Sequence, residues 1–153
     1  MLKRMTTHDG WKPNVVPILN KGVTAMRSFV TEPMSAGRLY LAGDAAHIVP
    51  PTGAKGLYLA AFDVLHLGQA FSAFYSTGKM DLLDQCSDTA LKRVWREQRF
   101  SWWMTQTLHR FPYEKTRSDY KRQLTALDYI VSSRAALTSQ AENYVGLPVD
   151  ATL

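Results

Sequence analysis

Two neighbouring segments hold residue types that could bind and activate a ligand. The first is Gly43-Asp44-Ala45-Ala46-His47, directly after the apolar run Leu39-Tyr40-Leu41-Ala42. Gly43 permits close backbone approach, and Asp44 offers carboxylate acceptors at the carboxyl end of a strand, where open sheets bind ligands. An acid placed there suits the hydroxyls of a sugar-like chain. From the pentapeptide alone, an Asp that merely caps a turn reads equally well. The second segment is Val49-Pro50-Pro51-Thr52-Gly53-Ala54-Lys55-Gly56. Two prolines stiffen it, two glycines let its backbone reach a ligand, and a helical pattern begins immediately afterwards. The free N–H groups of a helix start, together with the positive end of its dipole, stabilise an anion or an electron-rich ring edge.

A strand, a loop and a helix must position these groups. Short β-type runs are expected at 27–30 and 38–42, with turns at Glu32-Pro33 and Gly37. The second run is apolar throughout, which predicts a strand covered on both faces in a parallel or mixed sheet. Leu57, Ala61, Val64, Leu67, Phe71 and Phe74 recur at three and four residues and predict a helix over 55–77 with that stripe inward, ended by Gly78. A second helix is expected from Asp81 to His109, with Pro112 just beyond its end, and on it Leu91, Trp95 and Trp102 share one face. Tyr120, Leu124, Leu127 and Val131 mark a third helix, and Ser133 is an N-cap for a fourth reaching Asn143 or Tyr144. Residues 1–21, with Gly10, Pro13 and Pro17 and no sustained period, read as a loop ahead of a body over 22–153. Strands followed by helices without alternation indicate an α+β piece, or the end of a larger α/β domain.

The chain has 153 residues, 46% of them hydrophobic and 20% charged, enough to bury the core of one globular domain. Its formal charge of +5 is spread rather than gathered. Lys3 and Arg4, then Arg93, Arg96 and Arg99, then Lys115, Arg117, Lys121 and Arg122 stand among acids and read as solvated helix faces, with no nucleic-acid surface. The single cysteine, Cys86, excludes an internal disulfide and a Cys-pair metal site; it reads as a small buried filler in a reducing, cytoplasmic protein. Histidines 8, 47, 66 and 109 lack ligand spacing, so no metal is expected. The start has no apolar h-region, and the apolar stretch 56–75 is interrupted by Asp63, His66 and Gln69, so neither a secretory signal nor a membrane span is expected.

The series GRLYLAGDAAHIVPPTGAKGLYLA from Gly37 to Ala60 resembles the flavin-binding motif of the FAD-dependent aromatic hydroxylases, above all the 4-hydroxybenzoate 3-monooxygenase branch. The likeness continues at 26–34, 99–105, 108–112 and 141–148, and so covers roughly Gly22 to Pro148. It implies the C-terminal part of a larger, glutathione-reductase-like FAD-binding α/β fold. It also implies FAD as cofactor, with Gly43 and Asp44 at the ribityl chain and the turn through Pro51, Thr52, Gly53, Ala54, Lys55, Gly56, Leu57 and Tyr58 along the isoalloxazine. The helix N-terminus would then face the N1 and C2 carbonyl edge, where charge accumulates on reduction. Lys55 would add positive charge nearby; a solvent-facing lysine is the bland alternative. Pro51 and Tyr144 are the implied catalytic positions, the Pro51 carbonyl facing a substrate phenol and Tyr144 belonging to a proton relay from it. A deprotonated phenol is the better nucleophile. As alternatives, Tyr144 reads as a core tyrosine, Phe100 to Met104 as core or subunit contact, and His47 as a loop-orienting hydrogen bonder. The implied reaction hydroxylates an aromatic hydroxy acid ortho to its hydroxyl, using NADPH or NADH and molecular oxygen, in a homodimer.

Two side chains depart from the family pattern. Tyr58 stands where asparagine is usual beside the flavin and is expected to crowd the ring or alter its hydrogen bonds, and Phe62 replaces a smaller polar residue on the same helix. No Gly-x-Gly-x-x-Gly occurs, and residues 1–20 do not match the family, so a truncated or split coding sequence is expected and turnover by this chain alone is in doubt. Two other readings stay open: a non-catalytic helical module that dimerises or completes another chain's sheet, and another flavoprotein with a Gly-Asp loop.

Overall fold

Gly37 sets the first local structure. Its φ of +59° suits the first central position of a two-residue hairpin turn, and β2 (Ser35–Ala36) pairs antiparallel with β3 (Leu39–Tyr40) across it. In the computed structural model, which describes residues 5–110 and 117–148, the other strand pair is long-range: β1 (Phe29–Val30) runs antiparallel to β4 (His47–Ile48), with Val30 opposite His47. The Thr31 N–H extends this ladder to the Ala46 carbonyl at 2.8 Å. The parallel or mixed sheet expected around 38–42 is therefore not formed among the described residues. Leu39 is exposed, because among the described residues the hairpin gives β3 a single neighbour and leaves its outer face uncovered. The run expected at 27–30 is a strand only over its last two residues.

The expected helices form with nearly the expected ends. They are α1 (Gly56–Thr77), α2 (Asp81–Leu108), α3 (Arg117–Ser132) and α4 (Arg134–Val145). Gly78 closes α1 in the left-handed conformation at φ 74°, its N–H bonded to the Phe74 carbonyl at 2.7 Å. Ser133 caps α4 by accepting from the Ala136 N–H. Pro112, past the end of α2, lies outside the described residues, as do Lys3, Arg4, Lys115 and the side chain of Arg117.

The buried face of α1 matches the stripe that the apolar spacing predicts only in its second half, where Leu67, Phe71 and Phe74 pack against the core. Leu59, Phe62, Asp63, His66 and Ala70 turn inward, whereas Leu57 is 85% and Val64 66% exposed. Helix α1 is apolar nearly all round, so its own pattern does not select a face; packing against α2 and the strands does. By length and composition α1 would pass for a membrane span, with a mean hydropathy of 1.2. Its inward face, however, carries the buried Asp63, whose carboxylate meets the Gly43 N–H and His47 of this same chain.

The core lies between α1, α2 and the strands. Met34, Ala46 and Ala90 form one cluster; Val49, Leu59 and Val94 form a second; Ala70, Leu83 and Cys86 form a third. Ser87 of α2 ties the hairpin down by accepting from the Met34 N–H at 2.9 Å. Helices α3 and α4 close on the far half of α2 around an apolar groove of about 550 Å³ that Trp103, Met104, Ile130 and Leu137 help to line. Within the aromatic stretch, Phe100 is buried and Trp103 stacks on it at 6.3 Å, while Trp95 and Trp102 stay half exposed. Arg93 corrects the expectation of a solvated basic face. It is only 7% exposed, because its partners are carbonyls of the distant C-terminal segment.

Candidate functional site

The chain arrives at the Gly-Asp turn extended, with Ala42 at φ −145° and ψ 152°, and then tightens into a 3-10 turn over Gly43–Ala45. Gly43 has a φ of +59°, and a Cβ on it would lie 3.3 Å from the Ala60 Cβ of α1. Both the backbone conformation and the close approach of the helix therefore ask for glycine. Asp63, 2% exposed on the inward face of α1, fixes this turn. One carboxylate oxygen accepts from the Gly43 N–H at 2.9 Å and meets His47 Nε2 at 2.7 Å. His47 thus makes the orienting hydrogen bond expected of it. Asp63 is the residue that sequence reasoning passed over; its signal was an acid at helical spacing within an apolar stretch. Asp44, in contrast, is exposed, and its carboxylate has no hydrogen bond or ion pair among the described residues.

The second segment forms another 3-10 turn, Pro51–Gly53, which leaves Pro51 exposed with its carbonyl accepting from the Ala54 N–H at 2.9 Å. The turn sits on α2 through Thr52 Oγ1 and Thr105 Oγ1, 2.7 Å apart. A Cβ at Gly53 would lie 2.4 Å from the buried Ser101 Oγ, so any larger residue there would force Ser101 to shift. Ala54 takes a left-handed conformation at φ 53° and ψ 36°, and α1 starts two residues later without a side-chain cap. The first i to i−4 bond runs from the Leu59 N–H to the Lys55 carbonyl at 3.0 Å. The N–H groups of Gly56, Leu57 and Tyr58 precede it and point out of the helix end. A Cβ at Gly56 would meet nothing within 4 Å, and Leu57 is exposed. An uncapped 22-residue helix with open space at Gly56, packed against the earlier Gly-Asp turn whose Asp44 carboxylate has no partner among the described residues, fits a ligand that combines hydroxyls with an electron-rich ring edge.

Lys55 does not face solvent, the bland alternative for it. Its side chain is buried, donates to the Tyr144 carbonyl, and pairs with the buried Glu97 at 3.5 Å. The rings of Tyr58, Phe100 and Tyr144 surround its ammonium at 5.6, 5.9 and 5.4 Å. Tyr144 is thereby brought next to the first turn of α1, more than half exposed and edge-on to Phe100 at 6.2 Å. Tyr58 does not project freely at the helix end: its hydroxyl donates to the Leu147 carbonyl. Of the expected site residues, the structure thus unites Lys55, Tyr58 and Tyr144 directly and mounts Gly43 and Asp44 on α1 through Asp63.

Behind the turn, His66 stacks flat on Phe62 at 5.7 Å. Burial pushes its pKa below the ordinary value of 6.5; the nearby Asp63 opposes the shift, and the Arg93 guanidinium adds to it. Burial likewise raises the Cys86 thiol. No cluster of His, Cys, Asp or Glu able to hold a metal occurs among the described residues.

A family model described as "FAD binding domain" matches residues 1–101, which corrects the expectation that residues 1–20 lie outside the family. The chain is 54% identical over 134 residues to the p-hydroxybenzoate hydroxylase of Acinetobacter baylyi, covering 88% of this chain and 33% of that protein. A shorter stretch of 36 residues is 56% identical to the rifampicin monooxygenase of Streptomyces venezuelae, covering 24% of this chain and 8% of that protein. The chain spans about a third of the length of the first relative.

Proposed function

We propose, on the premise that this chain belongs to the FAD binding domain family, that it supplies one wall of the flavin site of an FAD-dependent aromatic monooxygenase. The uncapped start of α1, beside a Gly-Asp turn whose Asp44 carboxylate has no partner among the described residues, carries this reading. Its whole-protein reaction is the hydroxylation of 4-hydroxybenzoate or a similar phenolic acid, a reading that the resemblance to p-hydroxybenzoate hydroxylase supports; NADPH or NADH and oxygen as co-substrates and a cytoplasmic homodimer complete the proposal.

FAD, when bound, supplies the electron and oxygen transfer. The chain's own groups do the remaining work. Asp44 accepts hydrogen bonds from ribityl hydroxyls. The N–H groups of Gly56, Leu57 and Tyr58 stabilise negative charge on the ring edge without reorganising, because Pro51–Gly53 and the Lys55–Glu97 pair fix the helix start from beneath. Lys55, turned inward, acts on this edge through its position under the turn. Pro51 and Tyr144 would face a phenolic substrate, the Tyr144 hydroxyl accepting the phenol proton as it releases its own outward.

A second reading has its own observation. Val64, Leu65 and Tyr75 of α1, and Val15, Val16, Ile18, Leu19 and Val23 ahead of β1, are all exposed, which suits a module that dimerises or completes another chain's sheet. Titrating FAD into the purified chain separates the two. A shifted and structured flavin absorption band, lost in Asp44→Ala, supports the flavin site. A stable oligomer with an unchanged flavin spectrum supports the module.

A further inference from the structure

We propose that Tyr58, Phe62 and Arg93 form a clamp that fixes the segment from Tyr144 to Pro148 against the first turn of α1, making Tyr58 and Arg93 positioning residues for Tyr144. The proposal rests on the flavin-site reading only for what Tyr144 does once it is held there.

Arg93 reaches from α2 and is almost wholly buried. Its Nη1 donates to the Tyr58 hydroxyl and to the Leu147 carbonyl, each at 2.8 Å, and its Nη2 donates to the Pro148 carbonyl. Tyr58 in turn donates to the same Leu147 carbonyl. The guanidinium carbon lies 3.9 Å from the centre of the Phe62 ring. A planar guanidinium held on a ring face can aim two N–H directions at two successive carbonyls, which a lysine ammonium cannot do. Tyr58 and Phe62 are four residues apart on one face of α1, the spacing at which helix side chains meet a common partner. They are also the two positions at which the chain departs from the family pattern. One contact from α2 accounts for both: the phenol reaches the C-terminal segment, and the phenyl ring carries the guanidinium that holds it.

The segment is pinned at its other end as well, by Lys55 at the Tyr144 carbonyl. Between the two anchors, Gly146 passes so close to the buried pair that a Cβ on it would lie 2.7 Å from Glu97 Oε1 and 3.5 Å from Lys55 Nζ. The Tyr144 ring therefore stands on a backbone tied down on both sides.

The test uses the full chain without FAD, so it is independent of flavin binding. Tyr58→Phe removes one hydroxyl, and Arg93→Met removes the fork while keeping a long apolar stem. Amide exchange from Tyr144 to Leu147 is expected to rise at least tenfold in Arg93→Met and about threefold or more in Tyr58→Phe, with α1 and α2 protection unchanged. The ring resonances of Tyr144, identified through Tyr144→Phe, are expected to move toward free-tyrosine values in both variants while those of the remote Tyr40 stay fixed. A merely stabilising role would not produce that selectivity. Arg93→Lys is expected not to restore protection. If Arg93→Met fails to fold, Tyr58→Phe decides. Unchanged exchange and unchanged Tyr144 resonances in Tyr58→Phe overturn the clamp, and so does full protection in Arg93→Lys. A parent chain that leaves the FAD spectrum unaltered ends the flavin-site reading and leaves the clamp result standing.

Discussion

Asp63→Ala is the sharpest perturbation of the site, because one buried carboxylate oxygen holds two groups of the Gly-Asp turn. The bonds are 2.9 Å from the Gly43 N–H and 2.7 Å from His47 Nε2. A hydrogen bond to a charged acceptor contributes about 1.5–3 kcal/mol, and both donors are left buried when the acceptor goes. The two together give a loss of about 3–6 kcal/mol, a large share of the roughly 5–15 kcal/mol by which a domain is stable. With a urea dependence of about 2 kcal/mol per molar, the unfolding midpoint is expected to drop by about 2 M. Asp63→Asn keeps the shape and one acceptor and is expected to lose about half as much. Chemical denaturation followed by far-UV circular dichroism measures both. A midpoint within about 0.5 M of the parent for Asp63→Ala, or an Asn variant no more stable than the Ala variant, refutes the idea that Asp63 holds the turn.

Asp44→Ala separates binding from folding: the side chain is exposed and unpartnered, so stability is expected to change by less than about 0.5 kcal/mol while FAD affinity falls about tenfold, as read by flavin titration. Gly146→Ala is expected to cost about 2 kcal/mol or more by thermal unfolding, since φ is +85° and the new Cβ meets Glu97. His66 has a lowered folded pKa, so the unfolded chain binds its proton first. Its contribution is complete above about pH 6.5 and is lost as pH falls below that value, and His66→Phe is expected to flatten the decline in Tm between pH 7.5 and 5.5. Ser133→Ala removes the α4 cap and is expected to cost about 1 kcal/mol, with faster amide exchange confined to the first turn of α4.

What the sequence determined by itself is local. Gly78 and Ser133 mark helix ends because a left-handed stop and a side-chain acceptor act within one turn of the backbone. The Gly-Asp and Pro-Pro-Thr-Gly turns were legible for the same reason, and their order before a helix carried the resemblance to a flavin motif. The inward face of α1 was legible in its second half, through Leu67, Phe71 and Phe74, but not in its first. Stripes through Leu57, Ala61 and Val64 and through Leu59, Phe62 and His66 repeat at the same spacing, and hydrophobicity does not choose between them. The tertiary structure chose the stripe with Asp63, because the buried N–H of Gly43 needs an acceptor. It also turned Lys55 inward to Glu97 and Tyr144, and took Arg93 out of solvent to carbonyls over fifty residues away. Spacing along a chain reports which neighbours share a turn or a face. Which buried donor meets which acceptor depends on groups that only folding brings together.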